Sequence, residues 1–396
     1  MVFRLFYTTF AVMKKEELKD KRIALLLSGG VDSAVALHEL CRQGVKPDCY
    51  YIKIGATPES DNDAQWDCSM EEDLEMATSV AHKYGCRLEV VDCHHDYWER
   101  VTRYTMDKVR AGLTPNPDVM CNRLIKFGAF DEKAGKDYDF IATGHYARTE
   151  VETISDCALD ASQQPTANSQ RITWLCTCPD PVKDQTDFLA QIYDWQLKKA
   201  LFPIGGMMKD EVRQIAEQEH LAPAHRKDSQ GICFLGKINY NDYVRHYLGE
   251  QPGEVIELET GKRIGQHRGL WFHTIGQRHG LGFGGGPWFV VKKDMSTNTL
   301  YVSHGYDPES AYSQDFKVHD LHWLTLPLPT TPTTPTAITF KIRHTPEFIK
   351  GQFTAIGQGE AVIHAEKPIH GVAPGQFCVV YDAEHYHCYG SGEITL

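Results

Sequence analysis

A short apolar segment of this chain runs directly into a glycine turn and then into a helix. Residues 22–27 read RIALLL, residues 28–33 read SGGVDS, and Asp32 to Arg42 has the apolar spacing of a helix capped at its start. A strand, a glycine turn and a helix in this order form the opening unit of a nucleotide-binding α/β fold. The elements that follow must be compatible with a sheet built on this unit.

The turn has the composition of a phosphate-binding loop. Gly29 and Gly30 let the main chain approach phosphate oxygens, beside the positive end of the helix. Ser28 and Ser33 add hydroxyl donors, and the chain has no Walker-type Gly-Lys-Ser/Thr sequence. The loop resembles the pyrophosphate-binding loop of ATP pyrophosphatases, in which Asp32 would order magnesium or the loop itself. A plain glycine-rich turn before a helix is the alternative.

Strand-like and helix-like segments alternate up to about residue 143. The strand-like segments are Cys49 to Ile54, Arg87 to Val91 and Asp139 to Thr143, and the helix-like ones are Glu71 to Tyr84, Asp96 to Ala111 and Asn122 to Lys136. This alternation predicts a Rossmann-like parallel sheet with right-handed crossovers.

The second half of the chain has a different pattern. Glu150 to Arg171, rich in Ser, Gln, Thr and Ala, predicts an inserted surface loop. After Pro287, short alternating segments separated by turns predict a small antiparallel β-barrel or sandwich. Leu326 to Thr336 (LPLPTTPTTPT) predicts a loop, because its prolines lack the donors of a strand ladder.

Length and composition narrow the class further. A chain of 396 residues predicts two or three domains, and no apolar run reaches the ~18 residues of a membrane span. Residues 1–13 lack the apolar core and cleavage site of a secretory signal. The twelve cysteines lack the spacing of a disulfide scaffold, which favours reduced thiols in the cytoplasm. The net charge of -12 does not exclude a nucleic-acid partner, since binding depends on local basic patches.

Two prolines precede a cysteine in the stretch PNPDVMCNR, residues 115–123. They fix an extended loop before a helix predicted to begin near Asn122, so that Cys121 would lie beside a helix N-terminus. Because a helix N-terminus lowers the pKa of a thiol, Cys121 is a candidate nucleophile. Asp118 lies three positions earlier and could contact the same substrate atom.

A second cysteine lies in the polar stretch RKDSQGICF, residues 226–234. Arg226 and Lys227 favour a thiolate or a persulfide at Cys233. Either cysteine alone would more often be a small buried apolar residue. The occurrence of both in polar loops favours a chemical role.

With these segments the chain resembles the tRNA-specific 2-thiouridylases from about residue 22 to Leu396. The matching segments are SGGVDS, NPDVMCN, Gly144-His145-Tyr146, Lys183-Asp184-Gln185, DSQGICF and Gly276-Gln277-Arg278. The resemblance implies an N-terminal ATP-pyrophosphatase domain over residues 1–222, a central adaptor domain over 223–286, and a C-terminal tRNA-binding β-barrel over 287–396.

The resemblance also implies roles for individual residues. ATP would be contacted by Leu26, Leu27, Ser28, Gly29, Gly30, Val31, Asp32, Ser33, Ile52 and Gly144. The target base would be surrounded by Asn116, Pro117, Asp118, Lys183, Asp184 and Gln185, and the barrel would contact RNA at Arg343 and His344. Cys121 would be the nucleophile and Cys233 the persulfide carrier.

The implied reaction uses ATP and Mg²⁺ to adenylate the C2 oxygen of a wobble uridine. A persulfide on Cys233, loaded by a donor protein such as a cysteine desulfurase or a sulfur relay protein, would then supply the sulfur. Either Cys121 attacks the persulfide or the released sulfur attacks the base, and a Cys121–Cys233 disulfide results. The tRNA partners would be those with Lys-, Glu- and Gln-type anticodons.

Three positions depart from the commoner family pattern. Residues 54–57 read IGAT without a tryptophan, Thr186-Asp187 stands where Ser-Tyr is frequent, and His344 stands where a tyrosine is usual. These departures weaken the assignments of the base pocket and the barrel more than those of the cysteines.

Other interpretations remain at this stage. An ATP pyrophosphatase that uses an amine nucleophile would need no cysteine pair, and a non-catalytic RNA-binding protein would need no intact phosphate loop. No metal site is predicted among the protein side chains. Cys93-His94-His95-Asp96 consists of consecutive residues that cannot all face one ion, and Cys176-Thr177-Cys178 has no second pair at zinc-finger spacing.

Overall fold

The computed structural model describes residues 4–5, 18–54, 70–154, 170–227, 239–305, 308–329 and 334–395. Cys233 and the rest of the DSQGICF segment lie outside the described residues, as do residues 55–57 of the IGAT stretch. No helix in the described ranges is both long enough and apolar enough to cross a membrane.

The predicted parallel sheet is present at the N-terminal end of the chain. Its described strands are β2 (Ile23–Leu26), β3 (Asp48–Lys53), β4 (Leu88–Asp92), β5 (Phe140–Ala142) and β8 (Ala200–Leu201), in the order β4-β3-β2-β5-β8. All four strand pairs are parallel. The turn after β2 therefore lies at the carboxyl edge of the sheet, where open α/β folds bind their ligands.

Helices connect these strands. They are α1 (Val31–Arg42), α2 (Met70–Tyr84), α3 (His94–Tyr97), α4 (Arg103–Arg110), α5 (Pro117–Cys121), α6 (Thr186–Leu189), α7 (Asp194–Lys199) and α8 (Lys209–Gln218), with π-helical segments at Trp98–Thr102, Asn122–Ala129 and Asp131–Gly135. The apolar faces of α1 and α2 pack on the sheet in a cluster that includes Leu25, Leu37 and Val80.

A separate four-stranded sheet follows helix α9 (Tyr240–Leu248) in the described residues. It contains β9 (Gly253–Glu257), β10 (Arg263–His267), β11 (Trp288–Asp294) and β12 (Thr299–His304), in the order β10-β9-β12-β11. The expected domain boundary at residue 287 falls inside this sheet. Because β12 pairs with both β9 and β11, we propose that the central domain extends to His304.

The C-terminal strands form a closed barrel. They are β13 (Tyr312–Trp323), β14 (Thr336–Lys341), β15 (Ile349–Gly357), β16 (Glu360–His370), β17 (Phe377–Tyr381) and β18 (His387–Thr395). Neighbouring strands pair in antiparallel fashion, and β17 pairs with β18 to close the circle. The predicted antiparallel β-barrel is thereby confirmed.

A hairpin from the N-terminal half extends the barrel sheet. Its strands are β6 (Arg148–Ile154) and β7 (Gln170–Cys176), with β1 (Arg4–Leu5) on the outer side of β6 and β18 on the outer side of β7. The predicted surface loop over Glu150 to Arg171 is therefore wrong at both ends. Alternating β-branched residues in the RTEVETI segment favour a strand there, which the polar composition of residues 155–169 obscured.

Gly205 offers a test of how the backbone positions the loop after β5. A Cβ atom on Gly205 would lie 1.7 Å from the carbonyl oxygen of Ala147. We expect Gly205→Ala to lower the free energy of unfolding in urea by about 1–3 kcal/mol, because the added methyl group forces this backbone contact apart. Gly284→Ala is the matched control, since a Cβ atom there meets nothing within 4 Å. Equal stabilities of the two variants would contradict the packing described.

Candidate active site

The SGGVDS turn forms a compact loop at the start of α1. Ser33 Oγ lies 3.2 Å from both the main-chain nitrogen and the hydroxyl of Ser28, and it donates to the carbonyl of Gly30 at 3.0 Å. Gly29 has a φ of +78°, and a Cβ atom there would lie 2.2 Å from the main-chain oxygen of Asp73. The loop conformation therefore requires glycine at this position.

The loop after β5 approaches the same helix start from the other side. A Cβ atom on Gly144 would lie 2.7 Å from the main-chain nitrogen of Ser33. Gly144 thus allows two backbone segments to meet at the point where an anion would bind. This places two residues expected to contact ATP next to each other.

Two side chains fix the carboxylate of Asp32. The hydroxyl of Tyr146 donates to Oδ1 at 2.8 Å, and Nζ of Lys209 contacts the same oxygen at 2.7 Å. Lys209 is almost buried, with a side chain 11% exposed. Lys209 could not be predicted from the sequence, because no local motif marks a lysine at the start of a helix far along the chain.

The Lys183-Asp184-Gln185 segment is joined to the loop that carries Tyr146. The side-chain oxygen of Gln185 accepts from the main-chain nitrogen of Tyr146 at 3.0 Å, and its own main-chain nitrogen donates to the carbonyl of Tyr146 at 2.9 Å. Because Tyr146 also contacts Asp32, the segment is linked to the phosphate loop through a single residue.

Asp184 is buried and its carboxylate is used inside the protein. It accepts from the main-chain nitrogen of Cys178 at 2.8 Å and from the hydroxyl of Thr186 at 2.5 Å. Lys341 of the barrel strand β14 places Nζ 3.6 Å from Oδ1 of Asp184, and the two side chains are 0% and 1% exposed. An internal positioning role therefore fits Asp184 better than direct contact with RNA.

Lys341 is a buried cation between the barrel and the catalytic half. Its ammonium lies 4.2 Å from the ring centroid of Phe348 and, in the part of the chain that is described, has no hydrogen-bond acceptor within range. Burial raises the pKa of Asp184, and the charge of Lys341 opposes that rise. The pair is electrostatically interdependent, since either charge alone would be buried without compensation.

The structure corrects the position of Cys121 relative to its helix. Helix α5 begins at Pro117, not near Asn122, and the side chain of Asn116 caps it by accepting from the main-chain nitrogen of Val119 at 3.3 Å. Cys121 is the last residue of α5 and the chain continues as a π-helix. A proline at the first helical position is favourable, so the PNPD stretch starts the helix one turn early.

Cys121 is buried at the carboxyl edge of the parallel sheet. It is 3% exposed and packs in a cluster with Cys93, the residue that follows β4, and with Ile52 and Ile54 at the end of β3. Strand β3 is the direct neighbour of β2, whose end carries the phosphate loop. Cys121 and the phosphate loop therefore occupy the same edge of the sheet.

A cavity of about 270 Å³ opens beside the predicted base-contacting residues Asn116 to Asp118. Its other walls include Phe188 and two residues of the central domain, Trp271 and His273. Burial lowers the pKa of His273 to about 4, so its ring is neutral at neutral pH. These walls could not be predicted from the sequence, because Phe188 and Trp271 lie 70 and 153 positions after Asp118 and only tertiary packing brings them together.

The barrel also holds the loop that forms this cavity. Nε2 of Gln376 donates to the carbonyl oxygens of Thr114 and Pro115, each at 2.9 Å. The main-chain nitrogen of Thr114 donates to the carbonyl of Pro374 at 2.8 Å. The main chain of Thr114 and Pro115, just before α5, is thus held by the turn before β17.

One of the two predicted RNA contacts of the barrel, His344, touches the catalytic half. Arg343 is exposed. His344 places Nδ1 3.1 Å from Oδ2 of Asp187 and stacks on Phe188 with 4.6 Å between ring centroids. Asp187 and His344, two of the departures from the family pattern, are therefore partners of each other.

The segment that leads toward Cys233 is anchored at the phosphate loop. Nη1 of Arg226 donates to the carbonyl of Gly29 at 3.2 Å and pairs with Oδ1 of Asp73 at 2.6 Å. Burial raises the pKa of Asp73, and the hydrogen bond and positive charge of Arg226 oppose this rise. One described range of the chain ends at residue 227, next to this contact, and the following range begins at residue 239.

This fold and this geometry define a nucleotide-binding α/β domain joined to two β domains. The family models that match are the tRNA methyl transferase HUP domain over residues 21–237, the tRNA methyl transferase PRC-barrel domain over 241–304 and the aminomethyltransferase beta-barrel domain over 313–394.

Curated relatives are similar over nearly the whole chain. The tRNA-specific 2-thiouridylase MnmA 2 of Bacteroides fragilis is 58% identical over 372 residues, which cover 94% of this chain and 99% of that protein. MnmA of Parabacteroides distasonis is 53% identical over 372 residues (94% and 98%), and MnmA of Porphyromonas gingivalis is 52% identical over 377 residues (94% and 99%). The chain belongs to the tRNA-specific 2-thiouridylase family.

The buried ion pair predicts a pH-dependent cost for the loss of Lys341. We expect Lys341→Met to lower the free energy of unfolding by about 3–5 kcal/mol at neutral pH, because it leaves the Asp184 carboxylate buried and unpaired. The pKa of Asp184 then rises further in the folded state, so the folded variant binds a proton more readily than the unfolded chain. The deficit should therefore shrink as the pH falls from about 7.5 to about 5.

Urea unfolding at both pH values measures this deficit. Asp184→Asn in the Lys341→Met background should restore part of the lost stability, because it removes the unpaired charge. Lys350→Met is the control, since Lys350 is exposed on the neighbouring strand β15. A deficit that is the same at both pH values would argue against the charge-based explanation.

Proposed function

We propose that this tRNA 2-thiouridylase acts as a tRNA-uridine 2-sulfurtransferase that uses ATP and Mg²⁺ to activate a wobble uridine before sulfur is transferred. The observation that carries the proposal is the common location of the phosphate loop and Cys121 at one edge of the parallel sheet. Adenylation is needed because a carbonyl oxygen is a poor leaving group, whereas AMP leaves readily.

ATP would bind with its phosphates at residues 28–33 and its remaining contacts at Leu26, Leu27, Ile52 and Gly144. The main-chain N–H groups at the start of α1 suit an anion. The missing side chain of Gly144 leaves the main-chain nitrogen of Ser33 uncovered by a Cβ atom. Magnesium would neutralise phosphate charge, and Asp32 is the carboxylate suited to hold it, because Mg²⁺ in such sites takes one or two carboxylates plus substrate phosphates. Lys209 and Tyr146 keep that carboxylate oriented.

In the first step the C2 oxygen of uridine attacks the α-phosphorus of ATP and pyrophosphate leaves. The base would enter the cavity beside Asn116, Pro117 and Asp118, whose volume of about 270 Å³ suits a nucleobase-sized group. Holding the oxygen in line with the leaving group supplies much of the rate enhancement of such a transfer.

In the second step the outer sulfur of a Cys233 persulfide forms a bond to C2, and AMP leaves. Cys121 then attacks the inner sulfur, the S–S bond breaks, and the base keeps the outer sulfur as 2-thiouridine. Alternatively, Cys121 attacks first and the released hydrosulfide attacks C2. In both routes the sulfane sulfur is reduced and the two thiols become a Cys121–Cys233 disulfide, with Asp118 transferring the proton.

The chain length between Arg226 and Cys233 is compatible with this scheme. Arg226 contacts the phosphate loop, and Cys233 follows it by seven positions in the sequence, so the two residues can be at most about 25 Å apart. The Arg226 anchor therefore supports a position for Cys233 within reach of the same edge of the sheet.

The tRNA would contact both halves of the protein. Lys183 and Gln185 would contact the target base, and Asp184 would position them through its buried contacts with Cys178 and Lys341. Arg343 and His344 would contact the tRNA from the barrel. The sulfur donor would be a protein that carries a persulfide, and a dithiol reductant would be required to reopen the disulfide after each turnover.

The two cysteines provide the most direct test of the chemistry. Cys121→Ser and Cys233→Ser should each abolish 2-thiouridine formation while tRNA affinity and folding are retained, because serine cannot form the persulfide or the disulfide. Mass spectrometry of tRNA nucleosides measures the product. Cys41→Ser changes a half-buried cysteine outside the site and should retain activity.

Full thiolation by Cys121→Ser or by Cys233→Ser would refute the scheme. Activity that survives alkylation with iodoacetamide would favour an amine nucleophile.

Asp32 tests the adenylation step separately. We expect Asp32→Asn to slow tRNA-dependent release of pyrophosphate about 100-fold or more, since a misplaced phosphate loop loses the in-line geometry. Asp194→Asn serves as the control, since Asp194 is half-buried and, in the described contacts, forms an ion pair only with Lys198. Release of radiolabelled pyrophosphate measures the rate. An unaltered rate in Asp32→Asn would exclude the assigned role of the loop.

A further inference from the structure

Three side chains of metal-ligand type converge on the hairpin that joins the catalytic half to the barrel. They are Glu150 of β6, Cys176 of β7 and His387 of β18, and one ligand atom from each lies within 4.8 Å of the other two. The proposed sulfur-transfer reaction uses none of them. We propose that these residues form a structural site for a divalent metal ion of the zinc class.

The strand register brings the three side chains to one face of the sheet. His387 lies directly opposite Cys176 in the β7–β18 pair. Glu150 lies opposite Trp174, which is two residues from Cys176 on the same strand and so on the same face. The arrangement follows from the pairing of three adjacent strands and does not depend on a loop.

The set of donors selects the class of metal. Thiolate, imidazole and carboxylate together are the ligands of Zn²⁺, whereas Mg²⁺ and Ca²⁺ prefer oxygen ligands alone. Three protein ligands leave a fourth tetrahedral position for water. On binding, the Cys176 thiol would release its proton to solvent as the metal–sulfur bond forms.

A second layer of hydrogen bonds orients the ligands. Nδ1 of His387 lies 2.9 Å from Oδ2 of Asp382, and the hydroxyl of Tyr386 donates to Oε1 of Glu150. A carboxylate on one imidazole nitrogen, with the other nitrogen directed to the metal, is the usual support of a metal-bound histidine. Asp382 also accepts from the main-chain nitrogen of Tyr386 at 2.7 Å, which fixes its own position.

The location gives such a site a mechanical consequence. In the described residues the β7–β18 ladder consists of His387 opposite Cys176 and Cys388 opposite Leu175. This short seam is where the hairpin of the catalytic half joins the barrel sheet. A metal bound by residues from β6, β7 and β18 would cross-link the hairpin to the barrel. The barrel also carries Lys341 and Gln376, which contact the catalytic half.

Cobalt(II) is a suitable probe, because its complexes with thiolates absorb in the near ultraviolet. The full-length chain is first stripped with a chelator and then titrated with Co²⁺, and Zn²⁺ is added to displace the cobalt. We expect a thiolate-to-cobalt band that Zn²⁺ abolishes. Cys176→Ser should remove the part of this band that comes from Cys176. Glu150→Gln and His387→Gln should weaken the binding of Co²⁺. His385→Gln and Cys41→Ser are matched controls that should keep the wild-type band.

The support from Asp382 gives a second, independent readout. Asp382→Asn leaves all three ligands in place and should weaken Zn²⁺ affinity about 10- to 100-fold. Zinc should also raise the unfolding temperature of the wild-type chain more than that of Asp382→Asn or His387→Gln. Unchanged cobalt spectra and unchanged zinc stabilisation in these variants would overturn the proposal. If the Cys176→Ser variant fails to fold, the Asp382→Asn and His387→Gln variants still test whether the site binds metal.

Discussion

The carboxylate of Asp32, held between Tyr146 and Lys209, connects the parts of the proposed active site. One of its oxygens accepts from both side chains, at 2.8 Å and 2.7 Å. Tyr146 is bonded in turn to Gln185, and the adjacent Asp184 is paired with Lys341 of the barrel. A charge next to the phosphate loop is therefore linked, through a short chain of direct contacts, to a buried cation in another domain. A site of this kind is preorganised only when all of its parts are folded together.

This arrangement makes the barrel part of the catalytic apparatus. Lys341 pairs with Asp184, in a segment expected to contact the base, and Gln376 holds the loop that lines the proposed base cavity. Both contacts are made with main-chain atoms or fully buried groups, so they resist small displacements. Binding of RNA on the barrel would therefore act on the same loops that position the target base. We infer that recognition of tRNA and the geometry of adenylation depend on one shared set of contacts.

The parts of the fold that could be predicted from sequence are those set by local chemistry. The strand, glycine turn and helix around SGGVDS depend only on neighbouring residues. The alternation of strand-like and helix-like segments that follows correctly predicted the parallel sheet. The predicted start of α5 near Asn122 was wrong because the two prolines were expected to keep the chain extended. In the structure Asn116 caps the helix and Pro117 is its first residue. Lys209, Lys341 and the cavity wall at Trp271 depend on tertiary packing between distant segments. No local periodicity marks such residues, and the strand sequence TAITFK, which includes two threonines, gives no signal that Lys341 is buried.

The departures from the family pattern show why contacts must be considered together with motifs. Taken one at a time, Asp187 and His344 each replace a residue that is usual in the family, and each would count against the assignment of the RNA-contacting surface. In the folded chain the imidazole of His344 lies 3.1 Å from the carboxylate of Asp187 and stacks on Phe188. A contact across the junction between the barrel and the catalytic half is therefore made by a hydrogen-bonded pair. Because the two replaced residues contact each other, they represent one change in the chemistry of the junction.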